Sequence, residues 1–442
     1  MTPLVLGAAA AGAATSEAAA ATAVRINTTR GVFERTGTLV GWVGVKPIIP
    51  RPASLVAAVA LLLTSVVTSP SVADDRDDRD DRAARSPYSR FTKTIAPGLA
   101  FTKIVDRRTP RRIFVLTVDI AMPLTMDVAL AGARMPARAR TSRIARRAGA
   151  LAAVNGDFGS RAGGTAHPYL QDGQLIRTSP IIGPSFAVTK DEQAITFQPP
   201  TQLVTATLDT GPIWTIDRWN DGPPGAGEIA AYTPVGGTLS PPPLASCSAR
   251  LVPSAPFAPS PGGVGFEQAF TVEQRGCFEA SLPTNGGVVL SAVPATGEAL
   301  QVLSLVPGSG LTIRWTFGFP NVWDAIGGFP ALLSEGLDIV GPCVGSFCGR
   351  NPRTGVGVTA DGKILLVVVD GRQPKWSVGA SLHEFARILL KLGATDAMNL
   401  DGGGSSTMVV NGEVMNRPSD GQERRISTAV LVLPGPDPGE PA

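Results

Sequence analysis

The chain has 442 residues, a formal net charge of +3 and 17% charged residues. A chain of this length allows two or three domains, or one large one, and can bury a substantial core. The small charge excess argues against a nucleic-acid binder with a concentrated basic face, and two histidines argue against a multi-histidine zinc site. With 50 Gly and 39 Pro, the composition predicts a loop-rich globular protein with many turns and short strands.

The amino-terminal part has the pattern of an export signal. Residues 55–67 form the sustained apolar run of the sequence, which is shorter than the ~20 residues that a membrane-spanning helix needs. Lys46 and Arg51 precede this run, and small residues follow it up to Ala73. We therefore interpret residues 1–73 as an extension with a signal peptide, and a retained signal anchor is the alternative. The pattern predicts a secreted, extracellular protein with no stable membrane span after cleavage.

Three Asp-Asp-Arg triplets follow the predicted cleavage point. The nine residues of these triplets have no apolar side chain and cannot contribute to a core, so residues 74–90 are predicted to be a disordered tether. The remaining chain is divided into one globular domain, 91–434, and a disordered tail, 435–442. Residues 74–442 have no net charge, because the excess belongs to the extension. Residues 74–442 therefore have no overall positive charge that could attract anions.

The first half of the domain has mainly the sequence pattern of strands. Apolar and polar residues alternate through 91–128, a short basic helix is predicted at 141–148, and Gly149 ends it. A buried strand follows at 151–154, and hairpins follow at 171–197.

Residues 201–310 also read as antiparallel strands and loops. Within them, the Pro-rich segment 241–261 is predicted to be a surface loop.

The last third has the clearest pattern. Ser381 begins a helix with an apolar face, and Glu384 completes a capping box, so we interpret this glutamate as structural. Strands are predicted at 363–369, 396–400, 407–410 and 426–433. The Asn-Gly pair at 411–412 is predicted to form a hairpin turn after the third of these strands. The whole pattern predicts an α+β fold with a mixed, largely antiparallel sheet and a few packed helices.

The most distinctive segment for chemistry is Asn399-Leu-Asp401-Gly-Gly-Gly-Ser405-Ser406. Consecutive glycines let backbone N–H groups turn toward a ligand and form an anion cradle. The serine hydroxyls add donors, and Asp401 stands where it could act on a bond next to the anion. The alternative is a tight glycine turn with an aspartate cap, which explains the glycines but not the polar flank. The cradle glycines are Gly402, Gly403 and Gly404.

Other polar side chains follow predicted strands. Asp370 and Arg372 end one strand, and Asp157 lies just beyond another. Arg353 and Arg372 could each hold a phosphate bidentately, although each could singly be a surface arginine. His167 lies in a loop, and a lone loop histidine is more often inert, so it is left out of the catalytic set.

Four cysteines in an exported chain favour two disulfides. Cys343 and Cys348 bracket a tight loop, so their proximity favours that pair. Cys247 and Cys277 would then form the second bond.

The run 353–432 contains RTGVGVTADGKILLVVVDGR, MNLDGGGSSTMVVNG and ERRISTAVLV, and it closely resembles the phosphodiester glycosidase family. Weaker matches at LAAVNGDF, DGQLIRTSP, AAYTP and AIGGFPALLSEG extend the resemblance over roughly 91–433. Two positions depart from the family pattern. Gly159 stands where a second aromatic residue is usual, and Gly355 replaces an alanine.

The resemblance implies hydrolysis of a sugar-1-phosphate diester, which frees the sugar and leaves a phosphomonoester. We expect Asp401 and Asp370 to be the catalytic carboxylates, with Asp157 in reserve, and Arg353 and Arg372 to hold the phosphate. The substrate-binding positions carried over from the motifs are Asn155, Arg353, Thr354, Arg372, Asn399, Gly402, Gly403, Gly404, Ser405 and Ser406.

No cofactor and no metal is expected. The expected partner is a sugar phosphate or a cell-envelope glycopolymer, and the oligomeric state is left open. One alternative is a non-catalytic wall- or polysaccharide-binding module. Another is a metal-assisted phosphodiesterase in which Asp157, Asp370 and Asp401 hold a divalent cation.

Overall fold

The structure is a computed structural model that describes residues 86–435 except 160–161, 182, 191–194, 198, 210, 262–263, 278–280 and 284–285. The predicted extension and signal peptide, the first twelve residues of the predicted tether and nearly all of the predicted tail lie outside the described residues. The first strand begins at Tyr88, three residues before the predicted domain start at 91. Among the described residues, no helix is long and apolar enough to cross a membrane.

Strands make up 44% of the structure, and the described residues contain three α-helices. The expected α+β fold is therefore roughly right, but the balance is mainly β. The strands are numbered along the chain and form four sheets. Almost all described strand pairs are antiparallel, and the pair formed by Arg218–Trp219 and Ile229–Tyr232 is parallel.

The eight-stranded sheet carries Arg353, Thr354 and Asn399 of the residues that the family motifs single out. In spatial order its strands are β1 (Tyr88–Ala96), β2 (Leu99–Asp106), β3 (Arg111–Val118), β23 (Ile364–Val369), β22 (Arg353–Thr359), β24 (Ala394–Asn399), β20 (Ala331–Ser334) and β21 (Leu337–Asp338).

The nine-stranded sheet is built from the middle of the chain. Its strands are β11 (Ile213–Thr215), β10 (Leu203–Leu208), β18 (Gly310–Thr316), β16 (Phe266–Cys277), β14 (Cys247–Pro253), β17 (Val288–Ala292), β13 (Ile229–Tyr232) and β12 (Arg218–Trp219), with β15 (Ala258–Pro259) paired to β16.

Two five-stranded sheets complete the fold. The hairpin sheet comprises β7 (Gln174–Arg177), β6 (Tyr169–Gln171), β19 (Val322–Gly327), β8 (Ser185–Thr189) and β9 (Ile195–Thr196). The carboxyl-terminal sheet comprises β26 (Glu413–Val414), β25 (Met408–Val410), β5 (Ala152–Asn155), β27 (Thr428–Pro434) and β4 (Leu124–Leu130).

The helices are α1 (Thr141–Ala148), α2 (Gly297–Ser304) and α3 (Leu382–Lys391), with short 3-10 turns at Pro234–Gly236 and Gly403–Ser405. The predicted capping box at the start of α3 is confirmed, because Ser381 and Glu384 exchange both side-chain-to-backbone bonds. Gly149 ends α1 in the left-handed region, as predicted. That helix packs on the carboxyl-terminal sheet, where Ile144 and Leu431 belong to the same hydrophobic cluster.

One large hydrophobic core lies between three of the sheets. It joins Leu116 of the eight-stranded sheet, Val154 and Val430 of the carboxyl-terminal sheet, and Ile326 of the hairpin sheet. Helix α3 covers the other face of the eight-stranded sheet through Phe385 and its neighbours. Burial on both faces explains why the strand residues 364–369 are apolar throughout.

The prediction of a surface loop at 241–261 is wrong for its central part, Cys247–Pro253. Strand β14 crosses this segment and pairs with both β16 and β17 in the middle of the nine-stranded sheet. The flanking prolines favour a loop locally, and the pairing with distant strands overrides that preference. Both disulfides form as expected, Cys247 with Cys277 and Cys343 with Cys348. The first of them joins directly opposite residues of β14 and β16.

Candidate active site

Three strands of the eight-stranded sheet bring their polar ends to one edge. Arg353 at the start of β22 pairs with the last residue of β23, which Asp370 follows. Asn399 at the end of β24 pairs with Gly355 of β22. Because neighbouring strands are antiparallel, the start of β22 lies between the ends of β23 and β24. The motif residues, far apart in sequence, therefore surround one edge of the sheet.

Asn155 joins this edge to the carboxyl-terminal sheet. Its Nδ2 donates to the Asp401 carbonyl (2.6 Å), and its Oδ1 accepts from Thr354 Oγ1 (2.8 Å) and the Thr407 N–H (3.0 Å). Asn155 and Thr354 are fully buried. Both residues, predicted to bind substrate, therefore fix the position of Asp401 and its loop, and their polar atoms bond to protein groups.

The Asp401 carboxylate is held at the start of the glycine loop. Burial raises its pKa to about 6, against opposing effects of a hydrogen bond from Ser405, the nearby charge of Arg424 and the Gly402 N–H. The charge of Asp157 raises the pKa further. A carboxyl group with such a pKa exchanges its proton near neutral pH, as a general acid or base must.

Asp157 faces the same cavity as Asp401. Its Oδ2 accepts the N–H groups of Ala166 (2.8 Å) and His167 (2.9 Å), and its Oδ1 lies 2.5 Å from His167 Nδ1. The shared cavity has a volume of about 170 Å³, below the ~300–1,000 Å³ of pockets for drug-sized ligands. Its charged and hydroxyl-bearing lining residues are Asp157, Asp401, Arg138, Arg424, Arg425, Ser405 and Ser427.

Asp370, the expected partner of Asp401, is engaged in another network. Its carboxylate accepts the Trp376 indole N–H (2.7 Å), Asn416 Nδ2 (3.0 Å) and the Arg417 N–H (3.1 Å). Burial raises its pKa, and these donors oppose that rise. Asp370 does not line the cavity of Asp401. The structure therefore brings Asp157, not Asp370, beside Asp401, and Asp370 anchors the segment that follows β26.

The two predicted phosphate-binding arginines differ in their surroundings. Arg353 is 1% exposed, and its Nε and Nη2 donate to the carbonyls of Ala380, Phe347 and Gly349. Burial, and then the charge of Arg372, lower its pKa to about 10. Arg353 therefore mainly holds the loop closed by the Cys343–Cys348 disulfide.

Arg372 is exposed and lies against the glycine loop. Its Nε and Nη2 donate to Asn351 Oδ1 (3.2 and 3.0 Å), and within the described chain no carboxylate pairs with it. A Cβ on Gly403 would lie 3.1 Å from Arg372 Nη2, so the glycine permits this close approach. Of the two arginines, Arg372 has the donors that an incoming phosphate can use.

Among the remaining predicted binding residues, some line the cavity and others are buried within the protein. Ser405 lines the cavity, whereas the Ser406 hydroxyl is buried and has no hydrogen-bond partner among the described groups. Asn399 is fully buried and donates to the carbonyls of Phe329 and Leu400 (both 2.8 Å). A Cβ on Gly404 would meet the side-chain ends of Arg424 and Asp420, which would have to move.

A cluster of aromatic side chains stands beside Asp157 and His167. Phe347, in the disulfide loop, has ring-centroid distances of 6.1 Å to Phe158 and 6.3 Å to Phe329. Phe158 in turn meets His167 edge-on at 6.1 Å. Phe329 is 53% exposed and Phe347 37% exposed, so the cluster presents an apolar wall to solvent. Such a wall suits the apolar face of a sugar ring.

The carboxylates expected to hold a cation in the metal-assisted alternative do not form a group. Among the described residues, the cluster close enough to hold a metal ion is Asp127, Asp172 and Asp324, whose ligand atoms lie within 4.8 Å of one another. None of these three residues lines the cavity of Asp157 and Asp401.

Sequence reasoning missed His167 and the arginines of the cavity. His167 is 3% exposed and bonded to Asp157, although it belongs to no recognisable motif. The signal available in the sequence was its position ten residues after Asp157, in the same loop as the polar NGD segment. No sequence motif singles out the other cavity arginines, which are Arg138, Arg424 and Arg425.

Comparison with known proteins supports the resemblance seen in the sequence motifs. Residues 267–433 match the model of the phosphodiester glycosidase family. The match confirms the resemblance inferred from the sequence motifs. Bovine (Bos taurus) N-acetylglucosamine-1-phosphodiester alpha-N-acetylglucosaminidase is 42% identical over 87 residues, which are 18% of this chain and 16% of the relative. The chain thus matches about one sixth of that relative's length.

Two solved structures share the fold over most of the chain. A hypothetical protein from Synechocystis has a TM-score of 0.61 and 22% identity, and the match covers 79% of this chain and 64% of that one. A protein from Burkholderia pseudomallei K96243, named as exported, has a TM-score of 0.57 and 24% identity over 76% of this chain and 77% of its own. At these identities the likeness establishes the fold alone.

Proposed function

We propose that this protein is a secreted hydrolase that cleaves the glycosidic bond of a sugar-1-phosphate diester. The observation that carries the proposal is the cavity lined by Asp401 and Asp157 together with three arginines. Two carboxylates beside cationic donors match a reaction in which a glycosidic bond breaks next to a phosphate. The family of residues 267–433 and the name of the bovine relative support the same substrate class.

Different side chains bind the phosphate, donate a proton and assist the attack on the sugar carbon. Arginine side chains bind the phosphate oxygens and stabilise the charge that gathers on them as the sugar carbon separates. Asp401, with its pKa of about 6, can donate a proton to the bridging oxygen. Asp157 accepts the proton of the attacking water or attacks the sugar carbon itself. The C1–O bond breaks, water supplies the new oxygen on C1, and the bridging oxygen leaves with the phosphomonoester.

Secretion is part of the proposal. The two disulfides are of the kind that persists in oxidising compartments, and the amino-terminal sequence has the order of an export signal. A sugar-phosphate or glycopolymer substrate of the cell envelope fits such a location.

The test is turnover of a synthetic N-acetylglucosamine-1-phosphodiester by the wild type, by Asp401→Asn and by Asp361→Asn. Asp361 is the matched control, because its side chain is 60% exposed on the turn before β23 and pairs with Lys363. We expect the wild type and the control to release free sugar equally, and Asp401→Asn to lose about 10²–10⁴-fold in rate.

The same assay decides between the alternatives. An absence of turnover on diesters of several sugars would favour a polysaccharide-binding module. Turnover abolished by a chelator and restored by a divalent cation would favour the metal-assisted phosphodiesterase. Equal turnover by Asp401→Asn and wild type would refute the assignment of Asp401.

A further inference from the structure

The chain is neutral after residue 73, but its arginines are unevenly placed. Residues 133–149 contain six arginines and no acidic residue. All six arginines are exposed, and three of them belong to α1. The segment lies between β4 and β5, directly before the strand that leads to Asp157.

This basic segment reaches the catalytic cavity. An isolated antiparallel bridge pairs Ala139 with Ile426, which places Arg140 opposite Arg425. Arg138, on the other side of Ala139, lines the cavity together with Arg424 and Arg425. We define the arginine strip as Arg138, Arg140, Arg143 and Arg425. It begins at the cavity of Asp157 and Asp401 and continues onto the first turn of α1.

The nearby acids are engaged elsewhere and do not pair with Arg140, Arg143 or Arg425. Glu423 accepts bonds from the Ser142 N–H (2.9 Å) and hydroxyl (2.6 Å) at the start of α1. Asp420 pairs with Arg424. Across the described residues, no carboxylate pairs with Arg140, Arg143 or Arg425, and Arg140 instead donates to the Gln422 side chain (3.3 Å).

This arrangement is unfavourable for the protein alone. Like charges directly opposite each other on paired strands destabilise the pairing. A repeating anion laid along the strip would relieve this repulsion and bind several guanidiniums at once. Arg143 on the helix does not line the cavity of about 170 Å³ that would hold a single sugar phosphate.

We propose that the arginine strip binds the phosphates that neighbour the scissile one in a glycan chain linked by phosphodiesters. The proposal rests on the proposed function, and it narrows the substrate from any sugar-1-phosphate diester to a polyanionic polymer. The catalytic cavity takes one linkage, and the strip holds the linkages that follow it.

The test separates the strip from the catalytic site. The double variant Arg140→Gln/Arg143→Gln removes two charges outside the cavity. Arg387→Gln is the matched control, because Arg387 is an exposed helical arginine on α3. Each protein is assayed on a monomeric sugar-1-phosphate diester and on a phosphodiester-linked glycan, and binding of long-chain inorganic polyphosphate is measured across a salt series.

We expect the double variant to keep wild-type kcat/KM on the monomeric diester and to lose about tenfold on the polymer. The slope of log Kd for polyphosphate against log salt should fall by about 1.5, as two phosphate contacts are lost. Equal kcat/KM of wild type and double variant on the polymer, or equal salt slopes, would overturn the proposal. Tighter binding of duplex DNA than of the glycan would also overturn it.

Binding of polyphosphate does not depend on catalysis. If no diester is cleaved, the proposed function fails, and the salt series still shows whether the strip binds a polyanion. If diesters are cleaved and the salt slopes do not differ, only the strip is refuted.

Discussion

Replacing Asp401 with asparagine should stabilise the protein at alkaline pH while removing activity. The folded state raises the pKa of Asp401 from 3.8 to about 6, chiefly through burial. A carboxyl group whose pKa is raised by folding stabilises the folded state. This stabilisation is fully present at pH values below the pKa of the unfolded state. That contribution is lost as the pH rises through about 6. Above this range the folded protein holds a buried charge that unfolding would release to water.

The size of the effect follows from the pKa difference. Each unit corresponds to about 1.4 kcal/mol, so the ionised carboxylate costs the folded state about 3 kcal/mol at pH 8. Asparagine cannot ionise, and its amide can still bond to Ser405 and the Gly402 N–H. The free energy of unfolding of Asp401→Asn relative to wild type should therefore rise by up to about 3 kcal/mol between pH 4 and pH 8.

Urea unfolding of the two proteins at several pH values measures this difference. Asp361→Asn is again the control, because its exposed carboxylate should show no comparable gain. A difference between Asp401→Asn and wild type that does not change between pH 4 and pH 8 would refute the reasoning, and so would a loss of stability at pH 8. The gain in stability should accompany the loss of turnover, since active sites retain unfavourable charges for function.

Three further substitutions test other parts of the site. His167→Ala should lower kcat at least about tenfold and change the pH profile, because Asp157 loses the imidazole that orients it; an unchanged profile would contradict this role. Arg353→Met should lower the free energy of unfolding by at least about 2 kcal/mol in urea, because three carbonyls lose their donor, and an unchanged midpoint would show that these bonds do not matter. Ser381→Ala should cost about 1 kcal/mol in unfolding and leave kcat/KM unchanged, and a loss of activity would mean that the capping box with Glu384 affects the site.

Local chemistry explains what the sequence could predict. The turn at Asn411 and Gly412 has positive φ at both residues, as the Asn-Gly pair predicts. The helix start at Ser381 was equally readable, because the capping box acts over four residues. The NLDGGGSS segment identified the loop of Asp401, since three glycines between an aspartate and two serines favour a loop that binds an anion.

Long-range pairing explains what the sequence could not predict. The buried strand β14 lies among prolines, and only its partners β16 and β17 make it a strand. Asp370 resembles Asp401 in the sequence, since each follows a strand and precedes glycine. Their environments differ because Trp376 and Asn416 reach the Asp370 carboxylate, and spacing along the chain does not show such contacts. His167 was missed for the same reason.

The most direct test of the central claim is hydrolysis of a sugar-1-phosphate diester in water enriched in ¹⁸O. If Asp401 and Asp157 cleave the glycosidic bond, the label enters the C1 hydroxyl of the free sugar, and the phosphomonoester keeps its original oxygens. Mass spectrometry of both products distinguishes the two positions. Label in the phosphomonoester and none in the sugar would contradict the account, because the P–O bond would then be the one that breaks.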